Sequence, residues 1–211
     1  MDIISELSES LQKGDRKKVA DLTARAIEQN IGTRRILDDG LIAGMAVVGE
    51  RFKVHEIFLP DVLLAAKAMY AGMDLLKPLL IKDGIPTIGK VVIGTVQGDL
   101  HDIGKNLVAI MLKGAGFEVI DLGNDVAPER FVETAAKESA DVLGMSALLT
   151  TTMPVMKSVI DLARERELQK RTKIIVGGAS VSAGYAREIG ADAYCFDGVS
   201  AVEYVKKAVG R

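Results

Sequence analysis

Val91-Val92-Ile93-Gly94-Thr95-Val96 is a short, almost wholly apolar run rich in β-branched residues, and it opens onto Gly98-Asp99-Leu100-His101-Asp102-Ile103-Gly104-Lys105-Asn106. The first stretch has the composition of a strand, and the second reads as a loop that turns into a helix after Gly104. Comparable short runs recur downstream, at Phe117 to Ile120, Val142 to Met145, Lys173 to Val176, and more weakly around Ala193 to Phe196. Further candidate helices begin after Pro128, Pro154, Val181 and Ser200. Strand and helix in strict alternation predict a parallel sheet covered on both faces. The expectation for residues 88–211 is therefore a doubly wound, flavodoxin-like five-stranded α/β domain. Its ligand should lie outside the carboxyl ends of the strands.

Upstream of this domain the periodicity changes to helical spacing. Leu7 and Leu11 begin it, and Val19, Leu22 and Ala26 continue it after the turn residues Gly14-Asp15. Thr33 is placed to cap a third helix with the buried stripe Leu37, Leu41, Met45, Val48 and Phe52. Pro60 suits the first position of a fourth, whose apolar face holds Val62, Ala66, Met69, Met73, Leu76 and Leu80. Pro78 should end or kink that helix near its last turn. A four-helix bundle over residues 1–84 follows, joined to the second domain by the linker Asp83-Gly84-Ile85-Pro86.

Composition bounds the function classes. The chain has 211 residues, a net charge of only −2, and acids and bases mixed in both halves, which speaks against nucleic acid or an anionic membrane as the main partner. Cys195 is the only cysteine, so neither a disulfide framework nor a thiolate-rich metal site is available. The N-terminal residues show no basic segment followed by an apolar run, and no apolar stretch approaches the roughly 20 residues that span a bilayer. A cytoplasmic protein is the expectation.

The loop after the first strand holds His101, one of two histidines in the chain. An imidazole there can present one nitrogen to a metal while Asp99 accepts a hydrogen bond from the other, fixing the tautomer and raising basicity. Gly98 and Gly104 leave room for something bulky. Three plainer readings stand beside this one: a surface His–Asp pair, a divalent-cation site built from Asp99, His101 and Asp102, and phosphate binding at the helix N-terminus.

Asp99-x-His101-x-x-Gly104 resembles the D-x-H-x-x-G motif of cobalamin-binding domains. Ser146-Ala147-Leu148 after the third strand is similar to that family's S-x-L, and Gly177-Gly178 after the fourth is similar to its G-G. The resemblance implies that His101 replaces the cofactor's own benzimidazole as the lower axial ligand of cobalt. It implies that Gly98, Leu100, Asp102, Ile103, Gly104, Ser146, Leu148, Thr150, Gly177, Gly178, Ala179 and Gly198 surround the corrin or its nucleotide tail. Asp99 and Thr152 take the places of its proton relay to the histidine. In the first domain, Glu50-Arg51-Phe52 followed by Glu56-Ile57-Phe58-Leu59-Pro60 is similar to the cap of methionine synthase and of methyltransferase corrinoid proteins. Phe52 and Leu59 would then cover the upper face of the corrin; without that likeness they read as ordinary bundle core.

By this resemblance the chain is a methyl carrier that uses cobalamin or a related corrinoid, cycling between methylcob(III)alamin and cob(I)alamin. Its implied partners are a donor-side, substrate-specific methyltransferase, an acceptor-side methyltransferase using tetrahydrofolate or coenzyme M, and a reductive activation protein. Residues 83–87 would be the hinge that lets the cap move aside. No nucleophile-and-base pair for activating a substrate is visible. Two other classes share the histidine loop: the cobalamin-binding module of an adenosylcobalamin-dependent mutase, and a cobalamin-dependent light sensor, which carries a cap tryptophan that this chain lacks. His55 is expected to face solvent.

Overall fold

In the computed structural model, which describes residues 2–85 and 87–210, the five predicted strands form one sheet. They are β1 (Lys90–Thr95), β2 (Glu118–Asp121), β3 (Val142–Ser146), β4 (Lys173–Gly177) and β5 (Ala193–Tyr194). All pairs are parallel and the order is β2-β1-β3-β4-β5, the flavodoxin-like arrangement that the alternating pattern predicts. β1 and β3 are central and buried almost throughout, which is why their sequences run apolar instead of alternating. The order reverses between β1 and β3, so the loops following these two strands meet where such sheets bind ligands.

The helices of this domain α/β order are α5 (Ile103–Gly114), α6 (Pro128–Lys137), α7 (Pro154–Glu165), α8 (Ala183–Ile189) and α9 (Gly198–Ala208), numbered after four helices of the N-terminal region. Phe131 and Val132 of α6, Met156 and Ile160 of α7 and Ile189 of α8 share a core with Leu143 and Val176 of the sheet. Gly94 in β1 makes that packing possible: a Cβ there would come within 2.8 Å of the Phe131 ring. Helices α5 and α9 meet each other instead, at Met111 and Gly198.

The N-terminal helices are α1 (Ile3–Gln12), α2 (Arg16–Glu28), α3 (residues 33–53) and α4 (Leu59–Lys82). The predicted stripe Leu7, Leu11, Val19, Leu22 and Ala26 is fully or almost fully buried. Asp15 caps α2 by accepting the Lys18 backbone N–H at 3.0 Å. Gly40 and Gly44, one turn apart, let α1 approach: a Cβ on Gly40 would lie 2.7 Å from Leu7, and one on Gly44 3.0 Å from the Ser8 carbonyl.

Three details differ from expectation. Gly32, not Thr33, is the cap of α3, and the Thr33 hydroxyl donates to Asp83 at 2.7 Å. Residues Ile36–Ile42 are π-helical, between the α-helical segments Thr33–Arg35 and Ala43–Lys53. The wider turn advances the buried face by one residue, so Ile36 enters the core and Leu37 is only half-buried, while Leu41, Met45 and Val48 hold their places. Pro78 does not end α4, which continues to Lys82. Pro78 and Asp74, the residue whose carbonyl loses its helical donor, are both exposed, so water can satisfy the freed group. In the linker, Gly84 takes a left-handed φ of +63°, and Pro86 lies outside the described residues.

By contacts the chain divides into two compact units, Met1–Thr87 with Gly114–Gly116, and Ile88–Lys113 with Phe117–Arg211. Among the described residues no helix is long and apolar enough to cross a membrane.

Candidate functional site

The site begins with a turn at the end of β1. The Asp99 N–H donates to the Val96 carbonyl at 3.1 Å, with Gly98 at φ +83°, a conformation that favours glycine. The turn buries the Asp99 side chain completely. Its Oδ1 accepts the His101 backbone N–H at 3.0 Å and lies 2.8 Å from His101 Nδ1. Its Oδ2 accepts from the Leu148 N–H at 2.7 Å, the Leu149 N–H at 3.1 Å and the Thr152 hydroxyl at 2.9 Å. One carboxylate thus ties the loop after β1 to the loop after β3. Burial alone would raise its pKa, but the donors from His101, Leu148, Leu149 and the imidazole outweigh it and hold the carboxyl well below the usual carboxylate range.

This sets the tautomer of the imidazole. An ionised carboxylate only accepts, so His101 must donate through Nδ1, and the nitrogen left with a lone pair is Nε2. The side chain itself is half exposed, at 53%. From the other side the loop is held by Thr95, whose hydroxyl donates to the His101 carbonyl at 3.1 Å. Asp102 starts α5, its carbonyl accepting from the Asn106 N–H at 2.7 Å.

The remaining predicted residues sort themselves around this centre. Leu100 and Ile103 are 68% and 74% exposed, and Gly104 has nothing within 4 Å of where a Cβ would stand. Ser146 is half-buried at the end of β3, Leu148 and Thr150 are exposed beyond it, and Thr152 is buried. Gly177 and Gly178 close the end of β4: a Cβ on Gly177 would lie 2.8 Å from the Cys195 carbonyl, and one on Gly178 2.0 Å from that of Ala147. Ala179 is exposed, and the Ser180 hydroxyl next to it donates to the Leu148 carbonyl. Gly198 is buried, and a Cβ there would lie 2.5 Å from Met111 Sδ, so packing within the domain also favours a glycine. In the helical unit Phe52 and Leu59 are both half-buried and outside the core, and His55 is exposed, as expected.

The geometry bears on one of the plainer readings. A cation held by Asp99, His101 and Asp102 is excluded because both Asp99 oxygens are already surrounded by donors, and no group of three or more ligating side chains occurs among the described residues. A single available imidazole nitrogen suits a metal that arrives with most of its coordination shell filled, as the cobalt of a corrin does. Exposed apolar side chains on the same loops and open space above Gly104 suit a large, flat, partly apolar ligand. The residues fit the group that the sequence resemblance implies.

Sequence reasoning missed the contribution of the loop after β2. Asp125 Oδ1 accepts the Gly98 N–H at 2.8 Å, its own N–H donates to the Asp99 carbonyl at 3.1 Å, and the Asn124 side chain donates to the Leu100 carbonyl at 3.3 Å. Lys105 is nearly fully buried, with its ammonium on Asp121 and Asn106. The only sequence signal was the turn-forming run Gly123-Asn124-Asp125 at a strand's carboxyl end.

Two family models, each described as a B12 binding domain, match residues 3–77 and residues 89–206. A corrinoid protein of Desulfitobacterium hafniense is 41% identical over all of this chain and 99% of its own length. A trimethylamine corrinoid protein of Methanosarcina acetivorans is 40% identical, covering 99% of this chain and 97% of its own. Among solved structures, the methanol:cobalamin methyltransferase complex of Methanosarcina barkeri holds a chain that matches 99% of this one with a TM-score of 0.89 and 31% identity, over 80% of its own length. With likeness running through both units and the histidine loop built as described, the protein belongs to the family of corrinoid proteins, a helical and an α/β B12 binding domain in one chain.

Proposed function

We propose that this chain is a methyl carrier. It holds a corrinoid on His101 of a cobalamin-binding domain (88–211), has a helical cap domain (1–84), and serves a substrate-specific methyltransferase on one side and an acceptor methyltransferase on the other. The observation that carries this reading is the 2.8 Å contact between His101 Nδ1 and a buried, ionised Asp99, which leaves Nε2 as the ligating nitrogen. The bound corrinoid would supply the cobalt centre that accepts and releases the methyl group.

The chain's own residues do the rest. Asp99 makes the imidazole a stronger donor by drawing on its Nδ1 proton, and the fixed backbone donors from Leu148 and Leu149 keep that carboxylate ionised. Thr152 extends the chain of hydrogen bonds from imidazole to carboxylate to hydroxyl, so a proton can be held at Nδ1 while the ring is ligated and shared along the chain when it is not. Phe52 and Leu59, apolar and outside the core of their own unit, would help to keep water and oxidants from a bound corrinoid.

One relative is a trimethylamine corrinoid protein, others are dimethylamine corrinoid proteins, and the structural match is a methanol:cobalamin methyltransferase complex. Methylamines and methanol are therefore the donors to test first. The acceptor side would use tetrahydrofolate or coenzyme M, and a reductive activation protein would restore the reduced cofactor. An adenosyl upper ligand on the purified cofactor would instead place the chain with the mutases. The direct test is the cobalt(II) electron paramagnetic resonance spectrum of the loaded protein. Nitrogen splitting from the protein should vanish in His101→Ala and persist in His55→Ala; splitting that survives His101→Ala would sink the assignment.

A further inference from the structure

The loop after β2 has no part in the reading above, yet it grips the histidine loop on both flanks. On the upstream side Asp125, left-handed at φ +51°, accepts the Gly98 N–H at 2.8 Å and donates its own N–H to the Asp99 carbonyl at 3.1 Å. In the middle Asn124 donates to the Leu100 carbonyl at 3.3 Å. On the downstream side Lys105, four residues past His101, gives its ammonium to Asp121 at 2.6 and 2.5 Å. That lysine is only 2% exposed and stands in the first turn of α5, where the helix dipole disfavours a cation. A cation buried against the dipole is an unfavourable choice unless its position is needed. Asp121 meets it and also accepts the Gly123 N–H at 2.9 Å, so the turn that presents Asn124 and Asp125 starts from the same carboxylate.

We infer that residues 121–125 form a brace that presents His101 to the cobalt, with Asp125 as its principal positioning residue. The inference rests on His101 being the ligand. None of these side chains touches the imidazole; the brace acts by fixing the backbone from Gly98 to Leu100, and so where Nε2 points before the cofactor arrives. Asp125 is exposed, so substitutions there are separable from core packing.

Two substitutions separate the acceptor from the turn. Asp125→Gly relieves the left-handed conformation but removes the acceptor, whereas Asp125→Asn keeps an acceptor oxygen and tolerates the same φ. A residue that only formed the turn would be improved or unaffected by glycine. For a brace, glycine should lower the ratio of nitrogen-ligated to unligated cobalt(II), read from the nitrogen splitting at equal cofactor load, by about two- to tenfold, the range of one net hydrogen bond. Asparagine should restore the parent ratio. In the apoprotein, the Gly98 amide should exchange its hydrogen faster by a similar factor in the glycine variant and not in the asparagine one. Parent-like splitting and exchange in Asp125→Gly would overturn the brace while leaving His101 as ligand. No protein nitrogen splitting in the parent protein would overturn the ligand itself, and the brace with it.

Discussion

In the helical unit the buried polar groups are local: Ser10 donates to the Glu6 carbonyl at 2.7 Å and Thr23 to that of Val19 at 2.8 Å, each one turn back along its own helix. In the α/β unit the buried carboxylate of Asp99 reaches across the chain, to donors 49, 50 and 53 residues away. A back-bonded hydroxyl needs no tertiary explanation. A charged group with no exposed surface does, because burial penalises it unless the fold supplies donors in its place. The α/β unit assembles five of them from two loops. That is a structure organised around one side chain, the one that holds His101. The helical unit, by contrast, is ordered by apolar packing, which says little about what it does.

The largest expected effect tests this contrast directly. Asp99→Ala removes the acceptor shared by five donors, so the apoprotein should lose roughly 4 kcal/mol or more in urea unfolding. Thr23→Val in the helical unit, which deletes a bond of comparable length, should cost less than about 1 kcal/mol. Equal losses would break the comparison. The pH dependence sharpens it. Because the folded Asp99 carboxyl titrates below the unfolded value of about 3.9, its contribution is complete above that pH and is lost as pH falls through the folded value. The stability gap between the parent and Asp99→Asn should therefore be flat from pH 7 to about 5 and narrow below about 4. A gap that narrows already near neutrality would mean that Asp99 is not held ionised.

Next in size is Phe52→Ala. A fully buried Phe costs about 3–5 kcal/mol when truncated. Phe52 is only half-buried, so the apoprotein should lose about 1–2 kcal/mol, in proportion to the area it covers. The larger consequence should appear with corrinoid bound, as faster photolysis of the methyl–cobalt bond. A loss near 4 kcal/mol with unchanged photolysis would return Phe52 to the core and leave the helical unit with packing alone.

The same contrast governs what could be read from the residues in order. Strand and helix alternation placed β1 to β5 because central parallel strands leave an unmistakable apolar run. The helical stripe was legible except at its entry to the third helix, where Ile36 is buried in place of Leu37, since a π-helical turn at Ile36–Ile42 leaves no compositional mark. His101, Asp99 and Thr152 were found through motif likeness, and the hydrogen bonds among them agree with it. For Gly198 the motif likeness points to the cofactor and does not reveal that Met111 fills the space a Cβ would take. Asp121, Asn124 and Asp125 were not found, because their partners are backbone groups of another loop. Such contacts depend on the register of β1 against β2, and a single sequence read locally does not contain that register.

The smallest expected effect concerns the end of the hydrogen-bond chain. The Thr152 hydroxyl lies 2.9 Å from Asp99 Oδ2 and 2.9 Å from the Leu149 carbonyl, and it has one proton for both. If that proton goes to Asp99, the hydroxyl is the fifth donor that holds the carboxylate ionised, and the relay runs on to Thr152. If it goes to Leu149, the hydroxyl merely closes the first turn before α7, and the relay stops at Asp99. The ionised carboxylate is the stronger acceptor, which favours the first arrangement. Thr152→Val removes the proton with little change in volume and should cost about 1 kcal/mol in the apoprotein. Thr152→Ser keeps the hydroxyl and should stay near the parent. Stability alone does not separate the arrangements, since either loses a bond, but the cobalt(II)/cobalt(I) potential does. A donor removed from Asp99 makes the carboxylate draw harder on the Nδ1 proton and strengthens the imidazole as a ligand, so Thr152→Val should make cobalt(I) harder to reach. Thr152→Ser should leave the potential where it was. A potential unmoved in Thr152→Val, with the same loss of stability, would assign the proton to Leu149 and end the relay one residue sooner.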